Sequence, residues 1–218
     1  PHYKEIIQDF QELSRQLGKH AVCLRYDPIF INDKYTVEKH IAYFQEIIES
    51  LADYTEECVI SFIDLYEKTK RNFQGIQEVS LAEQYQLAEN FSKIAARYGI
   101  RLKTCGEEID LSQFGITQEG CMTQKIFKNV IGVALIDQKN QPLRIGCHCY
   151  PSRDIGEYNT CMHGCLYCYA NEDKKEVMRK YQQHDPCSPL LIGHIGEDDV
   201  IKQAKQESYQ ERQLSLDI

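Results

Sequence analysis

Apolar residues recur at helical spacing in three stretches of the first 110 residues. Ile6, Phe10, Leu13 and Leu17 form the first stripe, and Gly18 offers a C-cap. Val37, Ile41, Phe44, Ile48 and Leu51 form the second. Leu87, Phe91, Ile94 and Tyr98 form the third, preceded by a Ser80/Glu83 capping box and stopped by Gly99. Two short apolar runs, "HAVCLRYDP" and "CVISFID", lie between these stripes and a third, "IRLKTC", follows the last; "CVISFID" is rich in β-branched residues. Helix and strand thus alternate with a period of about 40 residues, the rhythm of βα units around a parallel sheet with right-handed crossovers. The predicted fold class is α/β: partial TIM-barrel-like parallel βα units followed by a Cys-rich, loop-rich C-terminal region. Three strands do not close a barrel, which takes eight. Either the sheet is open or the chain is the C-terminal part of a larger barrel.

The texture changes after Asp110, so residues 1–110 are expected to be the βα part and 111–218 a Cys-rich region packed on the same domain. "KNVIGVALI" reads as a helix, "DQKNQPLR" as a linker, "EDKKEVMRKYQQ" as a polar helix and "EDDVIKQAKQES" as a final helix. The first residue is Pro1 rather than Met, which leads to the expectation that further sequence precedes it.

Composition narrows the classes. With 42% hydrophobic and 27% charged residues, the 218-residue chain is globular. A net charge of −8 argues against a general nucleic-acid or membrane-surface binder. No secretory signal and no apolar run long enough to span a bilayer is visible, so a cytoplasmic setting is expected. The 10 cysteines change the picture most. Clustered at short spacing in a chain of this kind, they point to metal or redox chemistry rather than to a disulfide scaffold.

In α/β folds functional side chains gather at the C-terminal edge of the strands. The first strand delivers Arg25, Tyr26 and Asp27 there. The second delivers Asp64, followed by Lys68, Lys70 and Arg71. The third delivers Cys105, Glu107 and Glu108. Loops are polar in any case, and the basic trio reads first as a solvated loop and second as a phosphate site.

Cys161, Cys165 and Cys168 fall in "YNTCMHGCLYCYA" with C-x3-C-x2-C spacing. Three thiolates on one loop suit three irons of a 4Fe–4S cluster and leave the fourth iron open. Zinc prefers four closed ligands from paired knuckles. Gly164 lets backbone pass close to a cluster. Cys105, Cys121, Cys147 and Cys149 form a second candidate set, for another iron–sulfur cluster or a structural zinc, with free thiols as the plain alternative. His148, between two of these, is a possible replacement ligand or merely solvated. His163 is expected to point away from the loop's cluster. Cys23 and Cys58 lie in apolar strands and are expected in the core, and Cys187 is read as incidental.

The C-x3-C-x2-C spacing, with Tyr167 before its third cysteine, resembles the cluster loop of radical S-adenosylmethionine (SAM) enzymes. "YNTC" and "CLYCYAN" resemble the spore photoproduct lyase branch. The stretches "RYDPIF", "CVISFIDLYEKTKRN", "TCGEEIDLSQFGI", "GCHCYPSRDIGEYNTCMHGCLYCYAN", "HDPCSPLLIGHI" and "KQESYQERQLSL" resemble the bacterial family called domain of unknown function 1848. That resemblance implies a TIM-barrel-like fold, further sequence ahead of this part, and a radical-SAM-like cluster at Cys161, Cys165 and Cys168. It implies SAM as a cofactor, with Tyr167 and Gly164 beside it, and an electron donor such as a ferredoxin or flavodoxin. Arg25, Asp27, Asp64 and Glu107 would then contact SAM or a small-molecule or nucleotide substrate. One departure stands out: the cysteine loop follows the last identifiable strand, whereas in radical-SAM enzymes it follows the first. The competing function is a non-catalytic electron-transfer or binding module ordered by iron–sulfur or zinc.

Overall fold

A computed structural model describes residues 2–138, 146–204 and 207–211. These divide into two compact units. The first comprises 1–63, 77–152 and 209–218, and the second 64–76 and 153–208.

The first unit is built on a parallel sheet. Its strands β1 (Leu24–Ile29), β2 (Glu57–Phe62), β3 (Arg101–Thr104) and β4 (Thr117–Gln118) lie in the order β1-β2-β3-β4. Helix α1 (Tyr3–Leu17) precedes β1, α2 (Val37–Leu51) links β1 to β2, and α4 (Leu81–Arg97) precedes β3. Strands added in sequence order through right-handed crossovers place their helices on one face. The rings record this: Tyr26 of β1 meets Phe44 of α2 and Phe91 of α4 edge-on, and Phe44 stacks on Phe91 at 3.9 Å. Cys58, Ile60, Leu102 and Thr104 alternate onto the same buried face. Among the described residues the strands form an open sheet, not a closed barrel.

The second helical stripe differs by one position from its expected course. The buried residues are Val37, His40, Phe44, Ile48 and Leu51, with His40 in place of Ile41. Its Nε2–H donates to the Phe30 carbonyl at 2.8 Å, so Nδ1 accepts from the Tyr26 hydroxyl at 2.8 Å. Burial lowers the His40 pKa and favours this neutral form. The Ser80/Glu83 capping box forms as expected.

Helix α5 (Gln124–Ile131) stops at Gly132, which takes a left-handed conformation. The "KNVIGVALI" stretch is therefore helical only to Ile131; Leu135 beyond it bridges Gln210 antiparallel. The "DQKNQPLR" linker lies outside the described residues after Gln138.

The second unit holds α3 (Glu67–Asn72), α6 (Lys174–Gln182) and long irregular segments. The final helix expected over 197–208 is absent among the described residues. Val200 and Ile201 are 79% and 75% exposed, and without an apolar face to bury, so short a polar segment does not hold a helix. None of the helices is long and apolar enough to cross a membrane among the described residues.

The Phe44–Phe91–Tyr26 contact is the centre of the helix-covered face. Phe44→Ala is expected to cost about 3–5 kcal/mol, read as a lowered urea midpoint. Leu13→Ala, at a 47% exposed position of α1, is expected to change stability by less than about 0.5 kcal/mol. Similar losses in both would remove the ring cluster from its central place.

Candidate metal centres

The helix-free face of the sheet carries Arg25 and Asp27 of β1, Val59 and Ser61 of β2, and Lys103 of β3, with Cys105 one step beyond. It is polar except at Val59. Arg25 donates from Nε to Asp27 Oδ2 at 2.9 Å and from a terminal nitrogen at 2.5 Å, and the Ser61 hydroxyl donates to the same oxygen at 3.4 Å. Lys103 is 3% exposed and lies 2.5 Å from Glu57, which also holds Arg101 at 2.7 Å. A cavity of about 410 Å³ adjoins these charges, lined by Glu57, Arg101, Lys103, Thr117 and Glu119 among others.

Val59 is fully buried, and what packs against it is sulfur: Cys105, Cys147, Cys149 and Cys121. Three segments bring these thiols together. Cys105 directly follows β3, and Cys121 follows β4 after Glu119 N–H extends the ladder to the Thr104 carbonyl. Cys147 and Cys149 come from a segment tied to the second by Tyr150 N–H donating to the Met122 carbonyl at 2.7 Å. The sulfurs of Cys105, Cys121 and Cys149 lie within 4.8 Å of one another, and those of Cys121 and Cys149 are 3.4 Å apart. Cys147 belongs to the same buried cluster, with its sulfur outside that 4.8 Å group.

Glycines make this approach possible. A Cβ on Gly120 would stand 2.4 Å from the His148 carbonyl oxygen and 2.8 Å from Cys149 Cα, a collision with backbone. Gly146 lies against Gly106 at ordinary contact distance, and its φ of +73 rather than crowding calls for glycine there. Cys147 and Cys149 are buried while His148 between them is exposed, as an extended C-x-C demands. His148 is thus solvated rather than a ligand.

The thiols perturb one another. Cys105 is held down to about 5, first because the Cys121 thiol donates to its sulfur, against the opposing effect of burial. The Cys121 backbone N–H, the Cys149 thiol and the Arg25 charge add to this. Cys121 is pushed up, first by donating to Cys105 and then by burial. Burial pushes Cys149 up as well, although the Met122 N–H opposes it. The first negative charge of the cluster therefore sits on Cys105.

In the second unit, Cys161 and Cys165 are exposed and Cys168 is half-buried. Their loop is tied at its base. Asn159 N–H donates to the Ala170 carbonyl at 3.0 Å, and its side-chain oxygen accepts from the Glu172 N–H at 2.5 Å. Asn171 donates to the Cys161 carbonyl at 2.6 Å, and Lys68 to the Tyr169 carbonyl at 3.1 Å. Within the loop, Cys168 N–H reaches the Cys165 carbonyl at 3.1 Å, and Gly164 sits at φ +66 with open space at its Cβ position. The turn, not crowding, calls for glycine there. Among the described residues only the Cys105–Cys121–Cys149 set has three ligand atoms within 4.8 Å; the loop's three sulfurs stand wider apart. Tyr167 and His163 are exposed.

The remaining candidates separate. Glu107 Oε1 accepts the Phe62 N–H at 2.8 Å and so ends β2. Asp64 belongs to the second unit and accepts from the Tyr66 hydroxyl at 3.3 Å. Lys70 pairs with Glu67 at 3.2 Å, the solvated reading of that loop. Cys58 is core, as expected, but Cys23 is exposed, because it precedes β1 rather than lying within it. Cys187 is exposed. Sequence reasoning passed over Ser61 and Val59. It also passed over the glycine neighbouring each of Cys105, Cys121 and Cys147, a signal visible as "CG", "GC" and "GC".

In metal-free, reduced protein the three titrations pull in opposite directions. Cys105 is depressed from about 8.5, so its contribution to stability is complete above that value and is lost as pH falls to about 5. Cys121 and Cys149 are raised, so theirs is present below about 8.5 and lost above it. The urea midpoint of metal-free wild type, measured relative to Cys105→Ser, is expected to rise between about pH 5 and about pH 8. A flat difference across that window would contradict the assignment of the first charge to Cys105.

A family model described as "Domain of unknown function (DUF1848)" matches residues 1–170, which include the strands and all seven cysteines of the two sets. "HDPCSPLLIGHI" and "KQESYQERQLSL" lie beyond the matched part. Neither the curated proteins nor the solved structures provide a match to this chain. With the family model covering far more than half of its length, the chain belongs to the DUF1848 family.

Proposed function

We propose that the protein is an iron–sulfur enzyme of the radical-SAM-like kind, with a 4Fe–4S cluster on Cys161, Cys165 and Cys168 and a second, buried thiolate metal centre at Cys105, Cys121, Cys147 and Cys149. The observation that carries this reading is the contrast between the two thiol sets. C-x3-C-x2-C sits on a loop closed at its base, with sulfurs spread wider than one ion's shell and open to solvent. Three thiolates on separate irons need that spread, and they leave one iron for a non-protein ligand. When bound, such a cluster supplies a low-potential electron to SAM held at the open iron, and cleavage of SAM starts radical chemistry on the substrate.

The chain's own residues have definable parts. The three cysteines bind as thiolates. Asn159 and Asn171 fix the loop's shape through backbone contacts, which sets the spread of the sulfurs. Arg25 and Ser61 direct one carboxylate oxygen of Asp27. We assign the Arg25–Asp27 pair to polar groups of the substrate, taken to be a small molecule or nucleotide. Glu107 is committed to backbone and is set aside as a reacting group. A ferredoxin or flavodoxin is the expected electron donor.

Anaerobic purification with iron and sulfide reconstitution tests this. Brown protein with about four irons in the loop cluster is expected, with reductant-dependent cleavage of SAM to deoxyadenosine. The Cys161→Ala/Cys165→Ala/Cys168→Ala variant is expected to lose both the colour and the cleavage. Colourless wild type, or iron retained in full by the triple variant, would overturn the assignment. Iron bound without SAM cleavage would favour an electron-transfer module.

A further inference from the structure

A single ion and an iron–sulfur cube place their thiolates differently. Four sulfurs at about 2.3 Å from one zinc form a tetrahedron with edges of about 3.8 Å. Thiolates on separate irons of a cube stand wider apart. The Cys121 and Cys149 sulfurs are 3.4 Å apart, and Cys105 joins them with every separation within 4.8 Å. Cys147 lies in the same buried cluster, with its sulfur outside that 4.8 Å group, and is the fourth thiol at hand. The space among the three sulfurs within 4.8 Å of one another suits one ion and is too small for a cube.

We infer that Cys105, Cys121, Cys147 and Cys149 hold one tetrahedral zinc-class ion as a closed structural site, separate in metal and in role from the loop of Cys161, Cys165 and Cys168. This rests on the buried centre of the reading above and names its occupant. Cys105, Cys147 and Cys149 are 5%, 8% and 7% exposed. Cys121 is half-buried; four soft thiolates on one ion would fill a tetrahedral shell and leave no position for water or substrate, as in structural zinc sites. Hard cations such as magnesium are excluded by the donor type.

The surroundings match that occupant. Four thiolates on a divalent ion carry two net negative charges away from water. Compensating donors are in place: the Cys121 and Met122 N–H groups reach the sulfurs of Cys105 and Cys149, and the Arg25 charge acts on Cys105. The glycine contacts at 120 and 146 hold the backbone close enough for those donors to reach. The ligands come from three segments that share few backbone hydrogen bonds, chiefly Glu119 to Thr104 and Tyr150 to Met122. An ion joining them fixes the C-terminal ends of β3 and β4 to the 146–150 segment across the helix-free sheet face.

The test uses the full chain, purified anaerobically and analysed for zinc and iron together. One zinc per chain is expected in wild type and in the Cys161→Ala/Cys165→Ala/Cys168→Ala variant, which loses only its iron. Zinc-edge X-ray absorption should show four sulfur neighbours at about 2.3 Å and no neighbouring metal. A strong chelator should lower the melting temperature, and added zinc but not magnesium should restore it. Cys121→Ser/Cys149→Ser should bind no zinc; should that variant fail to fold, the wild-type absorption spectrum decides on its own. Cys147→His, conserving a zinc donor, should keep zinc with three sulfurs and one nitrogen. Iron persisting in the loop triple variant with iron neighbours in its spectrum would overturn the proposal. So would wild type without zinc whose melting temperature ignores the chelator. Wild type that holds zinc but never iron would refute the radical-SAM-like reading and leave this one standing.

Discussion

The handedness of the crossovers governs this structure. Strands β1 to β4 are laid down in sequence order, and right-handed connections between parallel strands return on one side, where α2 and α4 cover the sheet. The opposite face has to be satisfied by something other than helices. Glu57 neutralises Lys103, whose ammonium is almost wholly withdrawn from water. Asp27 takes Arg25 and Ser61. The apolar position that remains, Val59, is covered by cysteines supplied from the chain beyond β3. Thiols serve there as small hydrophobes, and three of them stand close enough together to hold a metal ion.

The parts legible in the sequence are those whose signal is periodic. The three helical stripes, the three longer strands and the Ser80/Glu83 box all announce themselves through spacing of 3.6 or 2. Strand β4 is two residues long and has no period to read. Helix α3, "EKTKRN", has no apolar face. His40 takes a core position meant for Ile41 because two hydrogen bonds satisfy both its nitrogens, and periodicity of apolar residues cannot anticipate a polar residue made acceptable by partners. The expected helix over 197–208 fails for the opposite reason: good helix formers without an apolar stripe have nothing to pack.

Cys105, Cys121, Cys147 and Cys149 were legible in the sequence as a second candidate set, Cys105 at the end of the third strand and the others outside the loop motif. Their closeness was not, because it depends on parallel register and on glycine backbone contacts between segments far apart in sequence. Cys23 shows the limit of reading by neighbours. It adjoins apolar residues, yet it precedes the first paired residue, Leu24, and faces solvent.

The two thiol sets differ in how their sulfurs are arranged. Cys147 and Cys149 flank an exposed His148 and both enter the buried cluster at Val59. C-x3-C-x2-C wound through a turn at Gly164 sends its sulfurs apart around a loop. Convergent buried thiolates surround an ion completely and leave it no free position, which suits holding a fold together. Divergent exposed thiolates grip a larger cluster from one side and leave the other side to a ligand, which suits chemistry. On the proposed reading, one chain would carry both arrangements without competition for the same metal, because the shape of each thiol set would admit a different inorganic unit.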